Sequence, residues 1–242
     1  MHSPHIWLRA ETKSGEARRA LAPDDARQLL DAGFRVSVEQ SAQAAIADHA
    51  YAAVGCDLQP VGSWVSAPED CYILGLKELP GQPTTLVHRH IYFAHAFKQQ
   101  RGWDALLLRF MRGGGELLDL EYLVDDNDRR LAAFGYWAGY VGAALSVVAW
   151  SRRQLGAEPV LEPLVPWPDQ EALLKDAREL LERARGELSG RPSMIIIGAG
   201  GRVGSGARAL AEELRLATTG WDIAETAAGG PFPEILEHDL LV

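Results

Sequence analysis

The segment 194–222 carries residue types at the spacing that nucleotide binding requires. An apolar run from Met194 to Ile197 enters a glycine-rich turn, a helical pattern follows over 207–214, and a second short strand ends at Asp222. This order is that of a dinucleotide-binding βαβ unit. The glycines allow a tight turn and bring backbone N–H groups and a helix N-terminus against a pyrophosphate. Asp222 would accept hydrogen bonds from the adenosine ribose and would repel a 2′-phosphate, so we predict NAD as the cofactor.

The glycine spacing itself departs from the commonest pattern. Gly198, Gly201 and Gly204 fit G-x-x-G-x-x-G, whereas Val203 occupies the sixth position of G-x-G-x-x-G. A glycine turn alone is a weak signal, because many strand-to-helix turns bind nothing. The flanking elements and the terminal acid are what make the segment specific.

Titratable side chains follow several predicted strands of the first half of the chain. Lys77 comes directly after 72–76, and His95 comes directly after 91–94. Ligands of open α/β sheets bind beyond the carboxyl ends of the strands. The pattern predicts an anionic substrate with several carboxylates, held by arginines and processed by a Lys77/His95 acid–base pair. Lysine acts as a base only when burial or neighbouring cations lower its pKa, whereas histidine titrates near neutral pH.

Each of these residues also has a structural interpretation. Lys77 could be a solvated loop lysine, His95 a core histidine, and Arg18 and Arg19 the lining of a helix entrance. His88 and His90 alternate as a metal-binding pair could, but no third ligand stands at useful spacing, so we predict no metal.

Composition narrows the class of protein. The chain has 242 residues and a formal net charge of −9, which argues against a nucleic-acid binder. Cys56 and Cys71 are too few for a disulfide framework, and no apolar stretch reaches membrane-spanning length. We therefore expect a cytoplasmic protein that acts on a small molecule and can form a homo-oligomer.

Apolar runs alternating with helical patterns predict an α/β fold of two Rossmann-like domains with parallel sheets. Residues 1–134 are predicted to form the substrate and catalytic domain, and 135–242 a partial NAD-binding domain. The predicted strands of the first domain are 6–9, 35–38, 72–76, 91–94, 116–118 and 131–134; the predicted helices of the chain include 23–33, 103–110, 136–154 and 169–188. Residues 237–242 resemble the opening of a third strand, whereas a Rossmann sheet normally has about six. We therefore expect the second sheet to be incomplete and the chain to be a fragment or a truncated product.

Several segments of the chain, in register, resemble NAD-dependent, lysine-forming saccharopine dehydrogenase. They are Leu8 to Lys13 with Glu16-Ala17-Arg18, Gly75 to Glu78, Phe93 to His95, Arg129-Arg130 through 132–135, Gly204 to Ala207 and Gly229 to Phe232. Alanine dehydrogenase and the nicotinamide nucleotide transhydrogenase domain share the E-x-K-x-x-E-x-R opening and the Lys/His pair, and are the broader relatives.

The resemblance implies that saccharopine, NAD and water give lysine, 2-oxoglutarate and NADH. It implies Lys77 and His95 as the acid–base pair. By the same match, saccharopine would be held by Arg18, Gln100, Arg130 and Phe134, and NAD by Arg129, Arg202, Val203, Asp222 and Thr226, beside Gly198 and Gly201 of the turn.

Two alternatives remain open from the sequence. One is an alanine dehydrogenase-like oxidoreductase, although Arg18 together with Arg130 favours a substrate with more than one carboxylate. The other is an inactive remnant that acts only in binding or assembly. Family members continue beyond residue 242, so we expect weak NAD binding at most and no saccharopine oxidation by residues 1–242 alone.

Overall fold

A computed structural model describes residues 3–187 and 190–242 of the chain. The chain divides into two compact units, Met1–Ala132 and Ala133–Val242. Both are α/β, with parallel strands throughout the pairings of their sheets, which confirms the predicted fold class. None of the helices within the described ranges is long and apolar enough to cross a membrane.

The first unit is built on a six-stranded sheet in the order β3-β2-β1-β4-β5-β6. Its strands are β1 (His5–Leu8), β2 (Arg35–Glu39), β3 (Asp57–Gln59), β4 (Tyr72–Leu74), β5 (Arg89–Tyr92) and β6 (Glu116–Asp119). Its helices are α1 (Pro23–Asp31), α2 (Asp48–Ala53) and α3 (Trp103–Gly113), with short 3-10 segments at Ser63–Ser66, Ala96–Lys98 and Leu120–Tyr122.

Both faces of this sheet are covered. Trp7 belongs to a core with Ile73 and Phe110, whereas its neighbour Leu8 belongs to a second core with Val38. Successive side chains of a strand point to opposite faces, so the two cores lie on the two sides of β1.

The core around Ile73 also contains buried histidine. His90 is fully buried, with its ring edge-on to Trp64 at 5.2 Å and to Phe110 at 5.4 Å between centroids. In the described ranges, neither ring nitrogen of His90 has a hydrogen-bond partner, whereas Nε2 of His88 lies 2.9 Å from the Ala67 carbonyl oxygen. Both imidazoles are therefore core side chains rather than an exposed pair.

The second unit has a three-stranded sheet in the order β8-β7-β9. Its strands are β7 (Ser193–Ile197), β8 (Ala217–Trp221) and β9 (Leu240–Leu241); its helices are α4 (Gly135–Gln154), α5 (Gln170–Glu187), α6 (Arg202–Glu213) and α7 (Ile223–Thr226), with a 3-10 segment at Pro233–Glu237. The third strand predicted at 237–242 is thus β9, parallel to β7.

Helices α4 and α6 pack backbone to backbone. A Cβ atom at Gly139 would overlap the carbonyl group of Val203, and one at Gly206 would overlap the carbonyl of Tyr136. The glycines of the two helices therefore allow their backbones to approach closely.

One local prediction is wrong. Residues 131–134 form no strand: the Leu131 N–H donates to the Leu123 carbonyl in a loop that closes with an isolated antiparallel bridge, and α4 begins at Gly135. Strand β3 and helix α2 were not predicted. The helix predicted at 169–188 is α5, and Leu188 lies outside the described residues. The assignment of 1–134 to substrate and 135–242 to NAD stays a prediction.

Candidate active site

The backbone at Lys77 is held by a buried ion pair. Strand β4 ends at Leu74, and the Glu11 carboxylate accepts hydrogen bonds from the N–H groups of Leu76 at 2.7 Å and Lys77 at 3.0 Å. Arg9 pairs with Glu11 at 3.3 Å and donates to the Lys77 carbonyl. Arg9 and Glu11 are both buried, and their hydrogen bonds offset part of the cost of burying two charges. The clamp fixes where the Lys77 side chain leaves the sheet.

The Lys77 ammonium shares a carboxylate with Arg18. Its Nζ lies 3.8 Å from Glu16 Oε2, and Arg18 binds the same carboxylate through two bonds, Nε to Oε1 at 2.7 Å and Nη2 to Oε2 at 2.5 Å. The hydrogen bonds from Arg18 lower the pKa of Glu16, and the same pairing raises the pKa of Arg18. Glu16 thus joins the predicted catalytic lysine to a predicted substrate arginine.

A second carboxylate gathers three cationic or titratable groups at the end of β5. Glu121 is nearly buried, with 10% of its side chain exposed; its Oε1 lies 3.2 Å from His95 Nδ1 and 3.6 Å from Lys98 Nζ. Its Oε2 accepts from Arg130 Nη1 at 3.0 Å. The predicted catalytic histidine and the predicted substrate residue Arg130 therefore meet at Glu121.

The surroundings of His95 favour one tautomer. Lys98 Nζ lies 3.3 Å from the same Nδ1, but it also pairs with Glu121, so Nδ1–H donating to Glu121 leaves every group satisfied. Nε2 is then the available proton acceptor. Phe93 stacks on the His95 ring at 6.2 Å, and the Arg130 guanidinium lies 6.0 Å from the Phe93 centroid on which it packs.

The remaining predicted residues of the first unit lie close by along the chain. Gln100 lines a cavity of about 330 Å³ together with His95. Arg129 stands beside Arg130, and its N–H donates to the Asp125 side chain at 2.9 Å. Phe134 belongs to the second unit, where it directly precedes α4.

In the second unit, the glycine turn leads from β7 into α6. Gly198 has a φ of +82°, and the N–H groups of Gly198 and Ala199 both donate to the Trp221 carbonyl, at 2.8 and 2.9 Å. A Cβ at Gly204 would overlap the Gly198 carbonyl, so the third glycine allows the helix to approach the turn. Gly201 begins α6 without a side-chain cap. The first-turn N–H groups of α6, at Arg202 and Val203, are therefore positioned as an anion site requires.

Asp222 follows β8 beside this turn. Its Oδ2 accepts from the Gly200 N–H at 2.9 Å and its Oδ1 from the Ile223 N–H at 2.9 Å, so it caps α7. Thr226 Oγ1 donates back to the Asp222 carbonyl at 2.8 Å. Asp222 and Thr226 are thus together at the edge of the glycine turn, and the carboxylate already holds the turn to α7.

The acidic partners are the part of the site that had no predicted role. Glu11, Glu16 and Glu121 all follow strands, and the first two belong to the E-x-K-x-x-E-x-R opening. That opening was the available signal for Glu11 and Glu16. Nothing local marks Glu121 as the partner of His95 and Arg130.

Comparison with known proteins gives this arrangement a family. Residues 7–141 match the family described as "Alanine dehydrogenase/PNT, N-terminal domain". The chain is 48% identical to a protein of Emericella nidulans, 44% to one of Schizosaccharomyces pombe and 46% to one of Candida albicans, each named "Saccharopine dehydrogenase [NAD(+), L-lysine-forming]". These matches cover 98%, 100% and 98% of the chain, and 64%, 67% and 66% of the respective relatives. The chain thus spans about two thirds of the length of the curated relatives that it matches.

Solved structures show the same fold at lower identity. An L-alanine dehydrogenase superposes with a TM-score of 0.58 at 20% identity, over 98% of this chain and 60% of that one. A transhydrogenase from Sinorhizobium meliloti superposes with a TM-score of 0.54 at 16% identity, over 93% of this chain and 59% of that one. These likenesses concern the fold alone. The sequence matches carry the closer relationship: the chain belongs to the alanine dehydrogenase/PNT N-terminal domain family and, within it, to the NAD-dependent, L-lysine-forming saccharopine dehydrogenases.

Proposed function

We propose that this protein carries out the NAD-dependent oxidative cleavage of saccharopine to lysine and 2-oxoglutarate. The observation that carries the proposal is the pair of clusters that follow β4 and β5, in which Lys77 and His95 each face a carboxylate shared with an arginine. Such groups can bind substrate carboxylates and transfer protons at one edge of a sheet. The names of the relatives at 44–48% identity supply the substrate.

The residues of the second unit fit NAD. The glycine turn lies directly against the acid that follows β8, since a Cβ at Gly200 would lie 2.6 Å from Asp222 Oδ2. We place the pyrophosphate at the first turn of α6, beside Arg202 and Val203, and the adenosine ribose at Asp222. Thr226 and Arg129 are proposed as further NAD contacts. NAD, when bound, supplies the acceptor for the hydride.

Protein side chains supply proton transfer and orientation. Arg18 and Arg130 would bind substrate carboxylates. Arg18 would do so while it remains paired with Glu16, and Arg130 while it remains paired with Glu121. Gln100 and Phe134 complete the proposed saccharopine contacts. We assign the secondary-amine proton to Lys77, whose amino group must be neutral to accept it; loss of that proton and of the hydride from the glutamyl α-carbon gives an imine.

His95 is assigned to the hydrolytic half of the reaction. Its Nε2 is available when Nδ1–H donates to Glu121, so the ring can take a proton from the attacking water. The carbinolamine then collapses when the lysine nitrogen receives a proton and leaves. The same imidazole can return the proton that it took from the water.

Two further parts of the proposal concern the pathway and the cellular location. A role in lysine biosynthesis is supported by the words "L-lysine-forming" in the names of the relatives. A cytoplasmic location is supported by the two free, buried cysteines, which a reducing compartment would maintain. A comparison of saccharopine with alanine as hydride donors distinguishes the proposed activity from an alanine dehydrogenase-like activity.

The test uses Lys77→Met and His95→Gln in the catalytically active protein, with saccharopine and alanine compared as hydride donors. Each substitution is expected to lower saccharopine turnover by about 10²–10⁴-fold, the span of a positioned acid or base, and to alter its pH profile. NAD affinity should change little. Matched controls are Lys175→Met on α5 and His49→Gln on α2, which are exposed. Unchanged turnover in either active-site variant, or hydride transfer from alanine but not from saccharopine, contradicts the proposal.

A further inference from the structure

We propose that a cavity in the first unit binds the carboxylate of an aliphatic small molecule, with Arg109 and Tyr92 as hydrogen-bond donors. The cavity measures about 330 Å³ and lies between the loop after β4, the end of β5 and helix α3. Neither Arg109 nor Tyr92 has a role in the reaction proposed above.

Arg109 is a cation without an anion. Its Nε donates to the Pro83 carbonyl at 2.9 Å, while its Nη2 is buried and has no hydrogen-bond partner among the residues that the structure describes. Within residues 3–187 and 190–242, no carboxylate comes within ion-pairing distance of it. A desolvated guanidinium is unfavourable unless it is paired, and this desolvation lowers the pKa of Arg109. An anion that entered the cavity would supply the missing partner.

Tyr92 adds a second unused donor on the same cavity. Tyr92 is 1% exposed, and within the described part of the chain its hydroxyl has no hydrogen-bond partner. The nearby Arg9 guanidinium, 5.8 Å from the Tyr92 ring, is already committed to Glu11 and the Lys77 carbonyl. A buried hydroxyl left unpaired is destabilising, so a ligand oxygen that accepted from Tyr92 would be stabilised.

The side chains that line the cavity determine which ligand chain can accompany the carboxylate. Its apolar lining comes from Leu79, Ala94, Trp103, Ala105 and Leu106, and Gln100 and Arg101 add polar side chains. The acidic residue at its edge, Glu78, is largely exposed and pairs with Lys13 at 3.4 Å, so it does not exclude an anion. Two donors in an apolar enclosure of this size suit a carboxylate on a short aliphatic chain.

His95 lines the same cavity, which suggests one natural source of such a chain. If the reaction proposed above is correct, the lysine half of saccharopine carries a carboxylate on an aliphatic chain and starts at the reacting nitrogen. That identification rests on the proposed function, whereas the affinity of the cavity for a carboxylate does not. A separate aliphatic acid that acts as an effector would present the same chemistry.

The experiment titrates hexanoate, hexanol and L-lysine into the protein and follows binding by NMR. Arg109→Gln should weaken hexanoate binding by about tenfold or more, since hydrogen bonds to charged groups contribute about 1.5–3 kcal/mol. Tyr92→Phe, which removes only the hydroxyl, should weaken it by a smaller factor. Arg112→Gln, an exposed arginine of the same helix, is the matched control and should bind as the parent does.

The outcomes separate cleanly. Hexanoate binding that falls in the Arg109 and Tyr92 variants supports the site, and L-lysine competing for it identifies the substrate as the source. Hexanoate binding without competition from L-lysine identifies an independent ligand, and it stands even if saccharopine proves not to be a substrate. No hexanoate binding, equal binding of hexanol, or equal effects of Arg109→Gln and Arg112→Gln overturns the proposal. Since Tyr92→Phe keeps the buried ring, it remains informative if the arginine variant is misfolded.

Discussion

Replacing His90 with leucine should remove a large part of the acid sensitivity of the first unit. His90 is fully buried between Trp64 and Phe110, and neither ring nitrogen has a partner. Burial, followed by the nearby charges of His88, Arg9 and Arg109, lowers the pKa of His90 from 6.5 to about 3. The folded protein therefore keeps this imidazole neutral over a range in which the unfolded chain protonates it.

The sign and the size of the effect of His90 on the free energy of unfolding follow from proton linkage. Above the unfolded value of 6.5, both states are neutral at this position and His90 contributes no pH dependence. Between 6.5 and about 3, the unfolded state binds one more proton, so the free energy of unfolding falls as the pH falls. At about 1.4 kcal/mol per pH unit, the loss by about pH 5 is about 2 kcal/mol. His5, whose pKa is also lowered, chiefly by burial, adds to the loss in the parent and in the variant alike.

Hydrogen exchange of the backbone amides in β4 and β5 measures the free energy of unfolding of the first unit at each pH. The parent protein should lose about 2 kcal/mol more stability than His90→Leu between about pH 7.5 and about pH 5. At the higher pH the variant should be as stable as the parent or more so, because it removes two unsatisfied polar atoms. His49→Gln, at an exposed position of α2, is the control and should keep the full acid sensitivity. An equal loss in the parent and in His90→Leu would refute the reasoning.

Three further predictions concern other parts of the chain. Asp222→Ala should weaken NAD binding and reduce discrimination against NADP, and comparable affinities for both cofactors before and after the change would remove Asp222 from the ribose site. Gly139→Ala should lower the urea midpoint of the second unit by an amount equivalent to about 1–3 kcal/mol or more, because its Cβ overlaps the Val203 carbonyl. Gly142→Ala, on the same helix with open space around it, should be neutral or raise stability by up to about 1 kcal/mol. Glu11→Gln should cost about 3–5 kcal/mol in thermal or urea unfolding, because it leaves Arg9 buried without an anion; a loss below about 1 kcal/mol contradicts that account.

The sequence predicted those features that depend on local order. Apolar runs bounded by turn residues identified most strands. Because ligands bind beyond the carboxyl ends of parallel strands, Lys77 and His95 could be selected as candidate site residues. The short strand β3 escaped prediction because it is three residues long, carries Asp57 and Gln59, and lies at the edge of the sheet. Residues 131–134 have the apolar content of a strand, but the loop folds back on Leu123 before α4 begins.

Local sequence patterns could not predict which charged side chains of the site pair with one another. Glu121 pairs with His95 and Lys98 from the segment after β5 and with Arg130 from the loop before α4, and no local pattern in the sequence brings these groups together. The position of Asp222 was predictable from the end of β8. Its hydrogen bond to the Gly200 N–H was not, since that bond depends on the conformation of the turn.

The crossing of α4 and α6 limits how the second unit can change. Because glycine on each helix faces a carbonyl of the other, at Gly139 and Gly206, neither helix can slide or rotate without its backbone colliding with its neighbour. The two segments lie more than sixty residues apart in the sequence, yet a larger residue in one requires the other to retreat. The start of α6 also carries the glycine turn. A substitution on α4 that displaced this crossing would therefore alter affinity at the turn without touching a ligand, so α4 is a place where cofactor affinity can be tuned from a distance.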